Sequence, residues 1–279
     1  MNLAQKTFEL ARLYGLNPDH SKGQNFLIEA EFFDLAIAAA QIKPTDTVLE
    51  VGPGLGFLTE KLSKVSHKVW AVELDQKLAE LLQARFLTEK ITNVEVLNAD
   101  ILTVPDNFFA NLDYKIVANL PYNITSIFLR KFLTAKNKPQ SLVLMLQKEV
   151  AERIVALVPH MSLLALSVQF YATAEIIAVV PAAAFWPQPE VNSALIKIIL
   201  KSENELPAVD AAAFFRLLKI GFSAKRKMLK NNLGNGFHLS PTEVEKILVE
   251  SGYNPKARAQ ELSLSDWLIL FAKFSDFVL

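Results

Sequence analysis

The sequence predicts an α/β fold: a doubly wound, mostly parallel sheet with an antiparallel edge, followed by a small all-helical C-terminal domain. Three observations predict it. From about residue 31 to 200, short β-type runs alternate with longer runs of helical apolar spacing, the pattern of a parallel sheet covered by helices. The first of these strands runs straight into the turn "GPGLG", where such folds bring a ligand against the backbone. Near residue 201 the polar, proline-containing stretch "KSENELPAVD" interrupts the alternation, and only helical patterns follow.

The elements follow in order. "MNLAQKTFELARLYG" reads as a short amphipathic helix, because it lacks the unbroken apolar core of a signal peptide. "EFFDLAIAAAQI" has helical apolar spacing, "TVLEV" (47–51) is the strand entering the glycine turn, and "FLTEKLSKV" is helical again. "KVWAVEL" (68–74) is the second strand and "KLAELLQARF" the next amphipathic helix. "NVEVLNAD" (93–100) and "YKIVANL" (114–120) make strands three and four, "SLVLMLQ" the fifth, and "KEVAERIVALV" a helix. After a helical segment at 162–173, "AEIIAVV" and "VNSALIKIIL" form an antiparallel pair at one sheet edge. Residues 1–200 thus make the α/β domain with an N-terminal helical extension. Residues 201–279 make the helical one, from "AAAFFRLLKIGF", "KRKMLKNNL", "PTEVEKILVESG" and "SDWLILFAKF". Ser240, Pro241 and Glu243 supply a cap, a first-turn proline and a capping-box partner for one of these helices.

Composition narrows the function classes. The chain has 279 residues, 51% of them hydrophobic, enough for a sizeable core. Its longest apolar candidate, "LVLML" at 142–146, is far short of a membrane span. With no cysteine, disulfides, thiolate metal sites and cysteine nucleophiles are excluded. The expectation is a cytoplasmic monomer without membrane or metal. Lysine plus arginine equals aspartate plus glutamate, 29 each. A polyanionic partner would have to be held by a local basic patch rather than by net charge.

Glycines 52, 54 and 56 alternate after the first strand. The dinucleotide fingerprint has a longer last gap, and here an acid, Glu50, precedes the first glycine. A carboxylate beside the cradle repels a pyrophosphate but suits an ammonium or sulfonium ligand such as S-adenosylmethionine. Glu73 ends the second strand about twenty residues past Gly52, where doubly wound folds place the acceptor for ribose hydroxyls. Asp100 ends the third strand in "NAD", placed to accept from an adenine exocyclic N–H. Any one of these acids also reads as a helix or turn cap. The three together with the glycine turn favour a nucleoside site, with NAD as the competitor that the glycine spacing disfavours.

"NLPYN" (119–123) follows the fourth strand and faces the same crevice. It contains no acid or base, and alone it also reads as a strand-ending turn. An exocyclic purine amine is a poor nucleophile because its lone pair is delocalised into the ring. The Asn119 amide oxygen, with the carbonyl of Leu120 or Pro121, can accept from that amine and favour a tetrahedral nitrogen. Pro121 fixes the backbone, and Tyr122 offers a ring for an extruded base to stack on. Catalysis of this kind rests on alignment and dipoles rather than on proton abstraction.

"GQNFL" (23–27), "EVGPGLG" (50–56), "VELD" (72–75), "NAD" (98–100), "NLPYNI" (119–124), "MLQKEVAERI" (145–154), "AFWPQPEVNSALIKI" (184–198) and "FSAKRKMLKNNL" (222–233) run colinearly along the chain. Together they resemble the KsgA-type ribosomal RNA adenine dimethyltransferases. The resemblance implies a Rossmann-like class I methyltransferase sheet, S-adenosylmethionine as donor, and N6,N6-dimethylation of two adjacent adenines. Those adenines lie in the 3′-terminal hairpin of small-subunit (16S-type) rRNA, and the implied partner is the 30S assembly intermediate. It further implies Asn25, Leu27, Gly52, Glu73, Asp100 and Asn119 as cofactor contacts. Leu120, Pro121 and Tyr122 join Asn119 in the catalytic corner, and Phe185 is similar to the family's second aromatic wall around the adenine. From spacing alone Phe185 reads equally as a core plug, and Gln24 and Asn25 as loop hydrogen-bonders.

The sequence departs from the family pattern before "LSV", where Leu164 and Ala165 stand near the usual Tyr-Gly pair. His160 nearby reads as a solvated loop residue. In "AKRKMLKNNL", Lys225, Arg226, Lys227 and Lys230 carry no intervening acid. Read as a helix, the run clusters Arg226, Lys227 and Lys230 on one side with Leu229 and Leu233 toward the core, an RNA-binding face to which Lys22 adds. A solvated helix face is the plainer reading of the same run. The alternatives to the small-subunit enzyme are a resistance-type 23S rRNA adenine methyltransferase and a non-catalytic assembly or transcription factor.

Overall fold

The runs rich in β-branched and aliphatic residues form one seven-stranded sheet in the computed structural model, which describes residues 2–16, 25–109 and 112–278. The chain divides into two compact units, Met1–Ala151 with Ala172–Leu200, and Glu152–Tyr171 with Lys201–Leu279.

In the first unit, α1 (Leu3–Leu13) starts at an Asn2–Gln5 capping box. The two-residue β1 (Phe26–Leu27) and α2 (Glu31–Ala40) follow. β2 (Thr47–Val51), α3 (Phe57–Ser63), β3 (Lys68–Glu73), α4 (Gln76–Thr88) and β4 (Val94–Asn98) build one half of the sheet. β5 (Tyr114–Asn119), α5 (Thr125–Thr134), β6 (Ser141–Gln147) and α6 (Lys148–Ile154) build the other. Beyond α7 (Leu163–Tyr171) come β7 (Ala172–Val180), the short β8 (Phe185–Trp186) and β9 (Ser193–Leu200). The sheet order is β4-β3-β2-β5-β6-β9-β7. The pairs from β4 through β6 are parallel, and β9 runs antiparallel to both β6 and β7. β5 and β6, the continuous apolar runs, are buried along almost their whole length, as strands covered on both faces must be. β7, at the edge, instead alternates exposed with half-buried positions and pairs with only one neighbour. β1 and β8 form a separate antiparallel ribbon, Phe26 opposite Trp186 and Leu27 opposite Phe185.

The helices start where the local chemistry dictates. Asp75 caps α4 by accepting from the Lys77 and Leu78 amides, satisfying donors a helix start leaves open. At α3 the cap is Gly56, in the left-handed region at φ +78. A Cβ there would stand 2.4 Å from Leu82 Cδ2 and 3.0 Å from the Phe86 ring. Gly56→Ala is therefore expected to cost about 1–3 kcal/mol, from backbone strain plus overpacking. Urea unfolding measures it; an unchanged midpoint would show that α4 gives way freely.

The second unit closes around one apolar cluster. α8 (Ala211–Gly221), α9 (Leu229–Phe237), α10 (Pro241–Glu250) and α11 (Leu264–Val278) contribute Phe214, Leu233, Leu248 and Trp267, all fully buried. α10 begins with the expected Ser240–Glu243 capping box and Pro241 in the first turn. Leu166 and Phe170 of α7 pack into the same cluster. The stretch Glu152–Tyr171 thus groups with the residues beyond 200, because α7 is apolar on more than one side and needs that core to cover it. No helix among the described residues is long and apolar enough to cross a membrane.

Candidate active site

The sheet order reverses between β2 and β5: from β2 the chain proceeds to β3 and β4 on one side, from β5 to β6 on the other. Loops leaving two such adjacent strands part from each other and open a crevice at the strand C-termini. A cavity of about 290 Å³ lies there. Gly52 and Gly54 line it from the turn after β2, Glu73 from β3, Asp100 from the loop after β4, and Asn119 to Tyr122 from the end of β5. Asn25 and Leu27 line it from the segment around β1. The glycine turn and the "NLPY" loop nearly touch, since a Cβ on Gly52 (φ +65) would stand 3.8 Å from both the Asn119 carbonyl oxygen and Pro121 Cδ.

Glu50, Glu73 and Asp100 all line this cavity. Glu50 is 2% exposed, and its Oε2 is buried without a hydrogen-bond partner. Burial pushes its carboxyl up to about 8; the Thr59 hydroxyl opposes the shift and the Glu73 charge adds to it. An unpartnered buried carboxylate is costly unless a cation or donor meets it. Glu73 is also raised by burial, against which stand the backbone N–H groups of Asp75 and Gly54. Those donors lie 2.9 Å from Oε1 and 3.1 Å from Oε2. The Gly54 bond pins the glycine turn to the end of β3, and each carboxylate oxygen keeps a second lone-pair site. Asp100 uses Oδ1 to accept from the Leu102 N–H at 2.8 Å, which shapes the following turn.

S-adenosylmethionine fits this donor set. The orphaned Glu50 Oε2 calls for a cation, Glu73 retains acceptor capacity for hydroxyls, and the side-chain-free glycine turn lets a ligand lie against the backbone. Among the described residues no cluster of three or more His, Asp or Glu is placed to hold a metal ion.

In the "NLPY" loop, Asn119 donates through Nδ2 to the Asn25 carbonyl at 3.1 Å. That bond uses one of the two N–H donors of the amide and fixes its orientation; Oδ1 is its acceptor. Leu120 is buried and ties its N–H to the Met145 carbonyl on β6 at 3.3 Å. The Pro121 carbonyl accepts from Ile124 N–H at 3.3 Å, closing a single 3₁₀ turn over Tyr122–Ile124. Tyr122 is half-buried and its hydroxyl lies 2.7 Å from Ser193 Oγ. Burial raises the phenol, with the Ser193 hydroxyl opposing.

Three sequence expectations need revision or restriction. Phe185 is 3% exposed and packs with Leu27, Phe33 and Leu195 in the core; it is not among the cavity-lining residues. The cause is the β1–β8 ribbon, which turns Phe185 inward opposite Leu27. The basic run is not one helix. α8 is capped at Phe222, residues 223–227 form turns and bends, Met228 is extended, and α9 begins only at Leu229. Arg226, Lys227 and Lys230 therefore do not share a helical face. Buried Asn232 explains the break: its Nδ2 donates to the carbonyls of Gly221 at 2.6 Å and Ala224 at 3.1 Å, holding the chain in a turn between the helices. Lys225, Arg226 and Lys227 are exposed, whereas Lys230 pairs with Glu245 at 2.5 Å. Leu229 and Leu233 do face the core. Lys22 and Gln24 lie outside the described residues. His160 is exposed in its loop.

The sequence reading overlooked the apolar part of the cavity, including Phe26, Leu55, Leu74 and Ile101. Leu74 and Ile101 directly follow the flagged acids Glu73 and Asp100, and that adjacency was a readable signal for walls around a flat base. Ser193 was also missed, because it belongs to a strand far along the chain.

The profile of the ribosomal RNA adenine dimethylase family matches residues 16–276. The ribosomal RNA small subunit methyltransferase A of Dehalococcoides mccartyi is 43% identical over 276 residues, 98% of this chain and 94% of that protein. Its counterpart in Bacillus licheniformis is 35% identical over 283 residues, 98% and 97% of the respective chains. The dimethyladenosine transferase of Plasmodium falciparum superposes with a TM-score of 0.78 at 28% identity, covering 90% of this chain and 98% of that one. The 23S rRNA methyltransferase ErmE gives a TM-score of 0.71 at 25% identity, covering 90% and 100%.

Proposed function

The chain belongs to the ribosomal RNA adenine dimethylase family, and from that membership we propose that it dimethylates N6 of two adjacent adenines in the 3′-terminal hairpin of small-subunit rRNA. It is an S-adenosylmethionine-dependent methyltransferase. The natural substrate is a 30S assembly intermediate, met in the cytoplasm by a monomer. The observation that carries the reading is the Asn119 amide. Its nitrogen is held by Asn25, so its oxygen is left to a substrate donor at the cavity wall.

S-adenosylmethionine, when bound, supplies a sulfonium methyl as the electrophile. Glu50 and the Gly52–Gly54 turn would hold its cationic end, Glu73 the ribose hydroxyls, and Asp100 the exocyclic N–H of its adenine, with Asn25 and Leu27 closing the pocket. The protein's task at the target base is to make a delocalised amine nucleophilic. In the first transfer Asn119 Oδ1 and the Leu120 carbonyl accept from the two N–H groups and draw the nitrogen toward tetrahedral geometry; in the second, one of these acceptors holds the single N–H that remains. The Leu120 carbonyl is preferred over that of Pro121, which is already engaged by Ile124. Tyr122 presents its ring to the flipped base. The methylated nitrogen is acidic and loses its proton to water or through the amide, so no strong base is required. The lowering of the barrier comes from alignment and fixed dipoles.

The exposed turn carrying Lys225, Arg226 and Lys227 contributes phosphate contacts, which read RNA by backbone and shape. Changing these three to alanine is expected to weaken RNA binding and reduce the slope of log K against log salt by about 2. A filter-binding series over salt measures it, and an unchanged slope takes the turn out of the interface. The relatives' names favour a small-subunit substrate over the 23S alternative, and the complete acid and "NLPY" set argues for an enzyme over a non-catalytic factor. The deciding test is incubation of labelled donor with undermethylated 30S particles and, in parallel, with unmethylated 23S rRNA, then mapping of the modified nucleotides. Label on the two hairpin adenines as N6,N6-dimethyladenine is expected; label only in 23S rRNA, or none, overturns the proposal.

A further inference from the structure

We infer that Ser193 is a positioning residue for methyl transfer: it holds the Tyr122 ring in a fixed attitude at the mouth of the target site. The inference rests on the reading above, in which Tyr122 stacks on the flipped base.

Tyr122 follows Pro121 in a single 3₁₀ turn, a short element that leaves a side chain free to swing about its first two torsions. A ring anchored only at its backbone end would sample several orientations. Its far end is anchored as well, because Tyr122 Oη and Ser193 Oγ are 2.7 Å apart. The two residues are 71 positions apart in sequence, so the bond is a tertiary tie rather than a local turn contact. Ser193 is a rigid anchor. It is fully buried, and it opens β9, in register with Gln147 of β6 on one side and Val180 of β7 on the other. A strand paired on both sides cannot follow the ring, so the ring must follow the strand.

The same bond defines what Tyr122 does. With its hydroxyl engaged by a buried serine, and burial raising the phenol above its ordinary range, the residue is held as a neutral flat surface rather than as an acid or base. Removing the serine hydroxyl leaves the phenol without this partner and releases the ring. A base that stacks on a loose ring spends less time with its amine at Asn119. Turnover falls while the donor contacts, from the β1 segment and the ends of β2, β3 and β4, are untouched.

Single-turnover methylation of undermethylated 30S particles, with donor affinity measured separately by calorimetry, tests this on wild type, Ser193→Ala, Ser193→Thr, Tyr122→Phe and the double variant. Ser193→Ala and Tyr122→Phe are each expected to slow the methyl-transfer rate about tenfold. The double variant should be no slower than either, as coupled partners require. Donor affinity should stay within about twofold, and Ser193→Thr, which keeps the hydroxyl, should restore most of the rate. A Ser193→Ala rate equal to wild type, or additive losses in the double variant, overturns the inference. If Ser193→Ala does not fold, Tyr122→Phe probes the same bond from the other side, and a full rate there is equally fatal. The wild type in the same assay separates the two levels. If it does not form dimethyladenine on the small subunit, the functional reading falls and takes this inference with it. If it does while the variants match it, only the role of Ser193 falls.

Discussion

Asn119→Ala is expected to lower the rate of methyl transfer by about a thousandfold, the loss that follows removal of one preorganised acceptor or donor at a reacting centre. Donor affinity is expected to remain within about tenfold of wild type, or about 1.4 kcal/mol. The asymmetry follows from how the side chain is held. Its nitrogen donates to the Asn25 carbonyl, and its oxygen is proposed to accept from the incoming amine, so alanine would remove the acceptor on which nucleophilicity depends. The acids proposed to meet the donor's charge and hydroxyls stay in place. Alanine also removes the tie to Asn25, at a cost in stability of about 1 kcal/mol, which a melting curve separates from the kinetic effect. Single-turnover methylation with calorimetric titration of the donor measures both quantities. A variant that methylates at the wild-type rate would refute alignment by Asn119, and one that loses donor binding as severely as turnover would make Asn119 a cofactor ligand only.

The parts of this site legible in the sequence were those fixed by local chemistry. "TVLEV" running into "GPGLG" gave both the strand and the turn, because consecutive β-formers and closely spaced glycines leave the backbone few choices. The acids at 73 and 100 were readable because their positions at strand ends follow from the strands themselves. Ser240, Pro241 and Glu243 specified a helix start that the structure contains. What was not legible was set by distant partners. "AKRKMLK" (224–230) consists of good helix formers, yet tertiary bonds from Asn232 to two carbonyls and from Leu229 N–H to the Ala257 carbonyl at 2.8 Å override that propensity. Phe185 was ambiguous because its inward turn depends on pairing with a strand only two residues long, below what periodicity can register. Ser193 carried no local sign of its bond to Tyr122, since a serine opening a strand is ordinary in any sheet.

Glu50→Gln is expected to make the protein more stable and its donor site worse, with both effects growing as pH rises. Glutamine keeps the shape and drops the charge. The folded-state carboxyl is raised from 4.5 to about 8, so between those values the folded protein holds a proton that the unfolded chain has released. Stability from this group is therefore full below pH 4.5 and is lost as pH climbs through 8. Glu73 is shifted in the same direction and is present in both proteins, so the difference between them isolates Glu50 and the relief of its repulsion on Glu73. The variant should match wild type at pH 5 and melt at least about 3 °C higher near pH 8.5. Donor binding runs the other way. A cation beside Glu50 favours the ionised form, so wild-type affinity should rise with pH toward 8 and binding below that should release a proton. Calorimetry in buffers of different ionisation enthalpy detects that proton. The glutamine variant should bind the donor about tenfold to a hundredfold more weakly near pH 8, the loss expected for a charge-assisted contact, with little pH dependence over the window. Parallel melting curves at every pH, together with unaltered donor affinity, would show that the unpartnered Glu50 oxygen is satisfied by something other than the donor's positive charge. The burial of that carboxylate would then be a structural feature with no part in binding.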